Sequence, residues 1–208
     1  MTAGPTLVRE RALWAAGRRW VAGLDEVGRG PLAGPVVAAV VILPQDAPAI
    51  EGLNDSKVMT ATVRDTVAVS IQAIAVAWAV GAASVHEIDR LNIRRATALA
   101  MRRALARLPM TPDYVLVDGQ DVPELGTAHE SMVDGDARSG TIAAASVLAK
   151  VVRDRLMARL ARRYPAYGWA ANKGYGTPEH LAAIHREGPC AHHRTTFEPV
   201  SQIPLFTS

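Results

Sequence analysis

Three apolar segments of this chain run directly into acids. Residues 21–24 (VAGL) lead to Asp25-Glu26, residues 114–117 (YVLV) to Asp118-Gly119, and residues 130–133 to Asp134-Gly135-Asp136. One such ending is ordinary, because Asp and Gly suit turns. Several converging carboxylates are not: at an effective dielectric of 20, two of them about 5 Å apart repel by roughly 3 kcal/mol. A fold tolerates that for a cation. Oxygen donors with no supporting Cys or His cluster suit Mg²⁺ or Mn²⁺ rather than zinc. Two such ions about 4 Å apart are common equipment for phosphodiester cleavage, one activating a water and the other stabilising the leaving oxygen. One constraint stands out. Neighbouring strand residues point to opposite faces, so Asp25 and Glu26 cannot both face one site from a regular strand. Either the strand bends at its end or the two acids contribute differently.

Beside the first acid pair lies Gly28-Arg29-Gly30, whose glycines permit close approach of backbone to a ligand. The spacing Gly28-x-Gly30-x-x-x-Gly34 contains Pro31 and leads into an apolar strand, which excludes a dinucleotide loop, and no Gly-Lys-Ser/Thr follows. His192-His193 near Cys190 lack the second Cys or spaced His pair of a zinc site. His180 and His185 are five apart, the wrong interval for one helix face. No G-x-S-x-G occurs. Residues 164–175 hold three of the four tyrosines, Trp169 and Lys173. This is either an aromatic clasp fastening a C-terminal lobe or a surface that stacks on sugar or base. Tyr175, between two glycines, is the foremost substrate contact of the group.

The elements that position these residues follow from periodicity. Nearly half of the 208 residues are apolar (49%) and the net charge is +3, which allows a proper core and points weakly to a polyanionic partner. Val- and Ala-rich runs at 21–25 and 36–43 predict adjacent strands, antiparallel because the link is short. Residues 1–18 read as a loose leader or a helical turn, 60–72 as a helix and 73–80 as a third strand ended by Gly81. Ser84 and Glu87 form a capping box. Helices are predicted over 92–108, 139–163 and 178–187, the second with a buried stripe of Ile142, Ala145, Ala149, Val152, Leu156 and Leu160. The basic face of the 92–108 helix reads as solvated surface. The fold class is therefore α/β, a mixed sheet flanked by helices with a small C-terminal helical lobe. One domain is expected over 1–200, its core about 18–163 and its lobe about 164–200, followed by a tail at 201–208. A single cysteine, no apolar N-terminal segment and no membrane-length run predict a soluble cytoplasmic protein, taken as a monomer with no membrane partner.

With these residues laid out, the chain resembles the bacterial ribonuclease HII family. The matching pieces, in order, are GLDEVGRGPLAGPVVAAVVIL, GLNDSK, HEID-x-LNI, YVLVDG, GDARSGTIAAASVLAKVVRDRLM, NKGYGT and HHRTTF, together covering about residues 20–200. The resemblance implies a ribonuclease H-like sheet and hydrolysis of the RNA strand of RNA/DNA hybrids. It further implies cleavage 5′ of single ribonucleotides in duplex DNA, leaving 3′-hydroxyl and 5′-phosphate ends, with Mg²⁺ or Mn²⁺. It assigns Asp25, Glu26, Asp118 and Asp136 to catalysis and metal binding, and Gly28, Arg29 and Gly30 to sensing the ribose 2′-hydroxyl. Tyr175 would pack on the sugar and Lys57 contact a phosphate. Where the family commonly has Lys-Gly-Asp this chain has Asp134-Gly135-Asp136, so Asp134 competes for the fourth position although register favours Asp136. The tail residues Gln202, Leu205 and Phe206 resemble a peptide that docks on the replication sliding clamp; an apolar tail folded back on the body is the other reading. Two alternatives remain for the function: a hybrid nuclease needing several consecutive ribonucleotides, and a non-catalytic nucleic-acid-binding module. The intact Gly28-Arg29-Gly30 with Tyr175 argues against the first, the full acid set against the second.

Overall fold

The computed structural model describes residues 4–54 and 56–202. Asp55 in the 54–57 turn and Leu205 and Phe206 of the tail lie outside the described residues. The helices are α1 (Val8–Ala15), α2 (Ala61–Ile74), α3 (Val85–Leu91), α4 (Ile93–Ala106), α5 (Gly135–Arg138), α6 (Gly140–Arg163), α7 (Trp169–Asn172) and α8 (Pro178–Glu187). The strands are β1 (Val21–Val27), β2 (Val36–Ile42), β3 (Ala77–Ala83), β4 (Tyr114–Asp118) and β5 (Glu130–Met132), in sheet order β3-β2-β1-β4-β5. The short link after β1 makes β1 and β2 antiparallel, as predicted, and β2 and β3 pair the same way. β1 and β4, and β4 and β5, run parallel. Every residue of β2 is buried, which explains its unbroken apolar run: helices cover both faces of the sheet centre.

α4 packs on one face, where Ala22, Leu24, Val40 and Val117 meet Ala100, Met101 and Ala104. α6 packs on the other. Two glycines let these helices approach at backbone distance. A methyl group on Gly23 of β1 would lie 2.2 Å from the carbonyl carbon of Thr141 in α6, and one on Gly81 of β3 would lie 2.1 Å from the Ala100 carbonyl oxygen in α4. Gly81 therefore does not end the third strand. The apolar run 73–80 is split instead: α2 keeps residues to Ile74, and β3 begins at Ala77 and continues through Gly81 to Ala83. Periodicity could not place that border because both halves are uniformly apolar. The Ser84–Glu87 capping box forms as predicted, with Ser84 N–H donating to Glu87 at 2.9 Å.

Two further expectations are corrected. The segment 1–18 contains α1, which is fastened by a buried carboxylate: Glu10 accepts from the Thr141 N–H (2.9 Å) and from the hydroxyls of Thr141 (2.7 Å) and Ser139 at the start of α6. This satisfies a helix N-terminus that would otherwise hold unpaired donors. In α6 the stripe holds for Ile142, Ala145 and Ala149. Beyond them Arg153, Met157 and Ala161 are buried, while Val152, Leu156 and Leu160 are part-exposed. There the helix has left the sheet and packs on the loop after β1 and on the cluster of Leu32, Tyr167, Trp169 and Ile184. No helix among the described residues is long and apolar enough to cross a membrane.

Gly81→Ala should lower the free energy of unfolding by about 3 kcal/mol, because the methyl meets helix backbone that cannot yield locally. Denaturant unfolding checks this; an unchanged midpoint would contradict the close approach of α4.

Candidate active site

Pairing of β1 with β4 ends at Leu24 opposite Val117, so Asp25, inside β1, and Asp118, the last residue of β4, follow that pair side by side on neighbouring parallel strands. Alternation then decides their faces. Leu24 and Val117 point to the α4 side, which turns Asp25 and Asp118 to the α6 side. Asp136, in the single turn of α5 after β5, joins them: one carboxylate oxygen from each of the three lies within 4.8 Å of the others. Asp134 is exposed, with φ of 54°, and serves only to turn the chain into α5, whereas Asp136 is buried. Of these two acids, it is Asp136 that joins Asp25 and Asp118.

Glu26 is outside that group, and the constraint imposed by strand alternation is real. Its side chain turns to the α4 side, where it meets Arg29 at 3.2 Å. It lines a groove of about 340 Å³ with Arg29, Arg94, Thr97, Asp118 and Gln120. Asp118 borders both the three-acid group and this groove, so Glu26 approaches the site from its opposite wall.

The electrostatics match a cation site. Burial, then the charges of Glu26 and Asp118, hold the Asp25 carboxyl well above its usual range, although Ser146 and the Glu26 N–H donate to it. Burial and Asp136 push Asp118 up, against N–H donation from Gly135 (2.8 Å). Glu26 is raised by burial, with Arg29 opposing. The Lys57 ammonium lies 3.0 Å from Asp136, and Ser56 bonds Ser146 at 2.9 Å, so Ser56 and Lys57 border the acids. Oxygen-only donors, buried and mutually repelling, suit a hard divalent cation. Zinc would call for His or Cys donors, and among the described residues none joins the three-acid group.

Gly28, Arg29 and Gly30 form the turn next to Glu26. Gly28 has φ of 92° and presses so closely on Arg153 that a methyl there would lie 2.1 Å from Nε. The carbonyls of this loop face two buried guanidiniums. Arg194 donates to Gly28, Arg29 (2.7 Å) and Gly34 (2.8 Å); Arg153 donates to Ala33 (3.1 Å), Pro35 (3.0 Å) and Lys173 (3.0 Å). The Leu32 N–H donates to the Gly174 carbonyl at 2.8 Å, which ties the loop to the segment carrying Tyr175. Tyr175 is exposed, and a methyl on Gly30 would lie 3.9 Å from its Cε1. Tyr164, Tyr167 and Trp169 instead pack among themselves and against His192 and His193, as the clasp reading expects. Gln202 is exposed at the end of the described chain. Arg153, Arg194 and Ser146 were not legible as contributors, because an arginine or serine in a helix or loop carries no mark of what it will grip.

The comparisons with known proteins agree with this arrangement. The sequence profile of the family described as Ribonuclease HII matches residues 22–200. Ribonuclease HII from Bordetella pertussis is 53% identical over 180 residues, spanning 86% of this chain and 89% of that protein. Among solved structures, ribonuclease H2 from Pyrococcus horikoshii superposes with a TM-score of 0.70 at 27% identity, covering 88% of this chain and 96% of that one. The ribonuclease HII from Archaeoglobus fulgidus, in complex with PCNA, superposes with a TM-score of 0.73 at 24% identity over 86% and 95% of the two chains. The chain belongs to the ribonuclease HII family, endonucleases that act on the RNA of RNA/DNA hybrids.

Proposed function

We propose that this chain cuts on the 5′ side of a ribonucleotide, including a single one embedded in duplex DNA, and leaves 3′-hydroxyl and 5′-phosphate ends. The observation that carries this reading is the convergence of Asp25, Asp118 and Asp136; next to it in the chain, Arg29 of the Gly28–Gly30 turn bonds Glu26, and Tyr175 faces Gly30. In this reading Asp25, Asp118 and Asp136, with Glu26 from the opposite wall, hold two Mg²⁺ or Mn²⁺ ions. When bound, such ions supply an activated water and charge neutralisation at the phosphate. The protein's own contribution is placement. Asp25, held by Ser146 and the Glu26 N–H, cannot swing away. The Gly135 N–H fixes the Asp118 carboxylate, and Lys57 sits at the rim by Asp136, where a phosphate oxygen would replace its ion pair.

Selection rests on the other half of the site. At a single position RNA differs from DNA only in its 2′-hydroxyl. Gly28 is needed where the turn presses on Arg153, while at Gly30 a methyl would meet only Tyr175 at 3.9 Å, so the missing side chain there leaves backbone open to that group and Tyr175 closes the sugar side. Arg29, bonded to Glu26, couples the turn to the acids. The solved complex of the Archaeoglobus fulgidus protein with PCNA supports a sliding clamp as a partner, and Gln202, Leu205 and Phe206 are the residues whose sequence resembles a clamp anchor.

Asp118→Asn should reduce metal-dependent cleavage by about a thousandfold or more. It should also raise the melting temperature of the metal-free protein, because it relieves repulsion, and remove the rise that Mg²⁺ or Mn²⁺ gives the wild type. Wild-type turnover, or an undiminished metal-induced rise, would remove Asp118 from the site. Arg29→Ala and Tyr175→Phe should each hurt a single embedded ribonucleotide at least about tenfold more than a long hybrid, and equal losses would refute the sensing role. Deleting residues 201–208 should weaken clamp binding, read by surface plasmon resonance, without altering turnover on short duplexes; unchanged clamp affinity would return the tail to the folded-back reading.

A further inference from the structure

His193 and Arg194 are neighbours in the chain, and their side chains run to different loops. Arg194 is fully buried, and the partners of its guanidinium are the carbonyls of Gly28, Arg29 and Gly34. His193, equally buried, faces His180, with their Nε2 atoms 3.0 Å apart. The backbone assigns the protons. Cys190 N–H donates to His193 Nδ1 at 3.0 Å, so His193 carries its proton on Nε2 and donates it to His180. His180 in turn keeps its proton on Nδ1 and donates to the Tyr175 carbonyl at 2.8 Å, while Trp169 Nε1–H adds a second donor to His180 Nε2 at 3.0 Å. Each ring is neutral with one tautomer, and burial lowers both, His193 to about 4.

The segment is fastened at its outer end as well. Asp89 in α3 accepts the N–H groups of Thr195 (3.0 Å) and Thr196 (3.2 Å) and both of their hydroxyls (2.9 and 2.7 Å). The Arg194 N–H donates to the Leu32 carbonyl at 2.8 Å, and the Gly34 N–H to the His192 carbonyl at 2.9 Å. One short strap thus grips both walls of the place where Tyr175 meets Gly30.

We infer that His193 and Arg194 are positioning residues that set the spacing between the Gly28–Gly30 turn and Tyr175, and thereby the enzyme's discrimination for ribose. This rests on the reading that turn and tyrosine contact the sugar. Stability alone explains the pair poorly. Among the described residues no carboxylate pairs with this buried guanidinium, which is held by carbonyls and by the Phe197 ring 4.9 Å from its Cζ; such burial is costly, and together with Arg153 it lowers Arg194 to about 9. What the guanidinium does supply is a rigid planar fork that fixes several carbonyls at set angles, which a lysine cannot reproduce.

The test compares kcat and KM for a duplex with one ribonucleotide and for a long RNA/DNA hybrid, with thermal melting beside them. Arg194→Lys and His193→Gln should lower kcat on the single ribonucleotide roughly ten- to a hundredfold more than on the hybrid, with KM little changed, since a small misplacement near reacting atoms costs that much. Asp89→Asn, at the strap's exposed end, should shift the same ratio in the same direction and carries the test if either buried variant fails to fold. Arg29→Ala and Tyr175→Phe are run in parallel. If they shift the ratio while the strap variants lose both substrates equally, or lose only stability, the positioning role is overturned and the sensing role stands. If Arg29→Ala and Tyr175→Phe leave the ratio unchanged, the sensing role itself has failed.

Discussion

Parallel pairing of β1 with β4 places Asp25 and Asp118 side by side just beyond the last paired residues and on the same face, so the contact that builds the sheet also forces like charges together. Repulsion of roughly 3 kcal/mol at about 5 Å is a large fraction of a domain's net stability. The surroundings compensate in part. Ser146 donates to Asp25, the Gly135 N–H to Asp118, and Lys57 stands at Asp136. Compensation stops short of neutralising the group, and burial still pushes Asp25 and Asp118 above their usual range. A site left in that state is matched to a divalent cation.

Around this group the architecture serves proximity. Gly23 brings the α6 backbone onto β1, which delivers Ser146 to the acids, and Glu10 secures the first turn of that helix from a segment far away in the chain. Further along, the same helix presents Arg153 to the loop after β1. One helix therefore braces both halves of the site. The loop's carbonyls point inward to Arg153 and Arg194, leaving the opposite side of the turn free to meet a ligand in the proposed reading.

Much of this was legible from residue types and spacing. The acid endings after apolar runs marked the candidate site, and the Val- and Ala-rich run at 36–43 marked the strand β2 beside β1. The capping box placed the start of α3. The difficulty with Asp25 and Glu26 also followed from strand alternation, and it proved physical: Asp25 faces α6 and Glu26 faces the groove beside α4. What escaped depended on tertiary placement. Gly81 looked like a strand terminator because nothing local reveals that a helix backbone lies above it. Residues 1–18 looked loose because the partner of Glu10 is more than a hundred residues away. The lower half of α6 changes its buried face where it passes from sheet to loop, so no single helical stripe could describe it. Arg153, Arg194 and His193 could not be told from solvated residues until the carbonyls and rings they grip were placed.

The most direct measurement is incubation of the purified protein with duplex DNA containing one ribonucleotide, with Mg²⁺, with Mn²⁺ and with a chelator, mapping the cut to nucleotide resolution. This account predicts a single nick on the 5′ side of the ribonucleotide, with 3′-hydroxyl and 5′-phosphate ends, only when a divalent ion is present. All-DNA duplex should stay intact. Cleavage in the chelator, equal cutting of all-DNA duplex, or no cut at the ribonucleotide would contradict it.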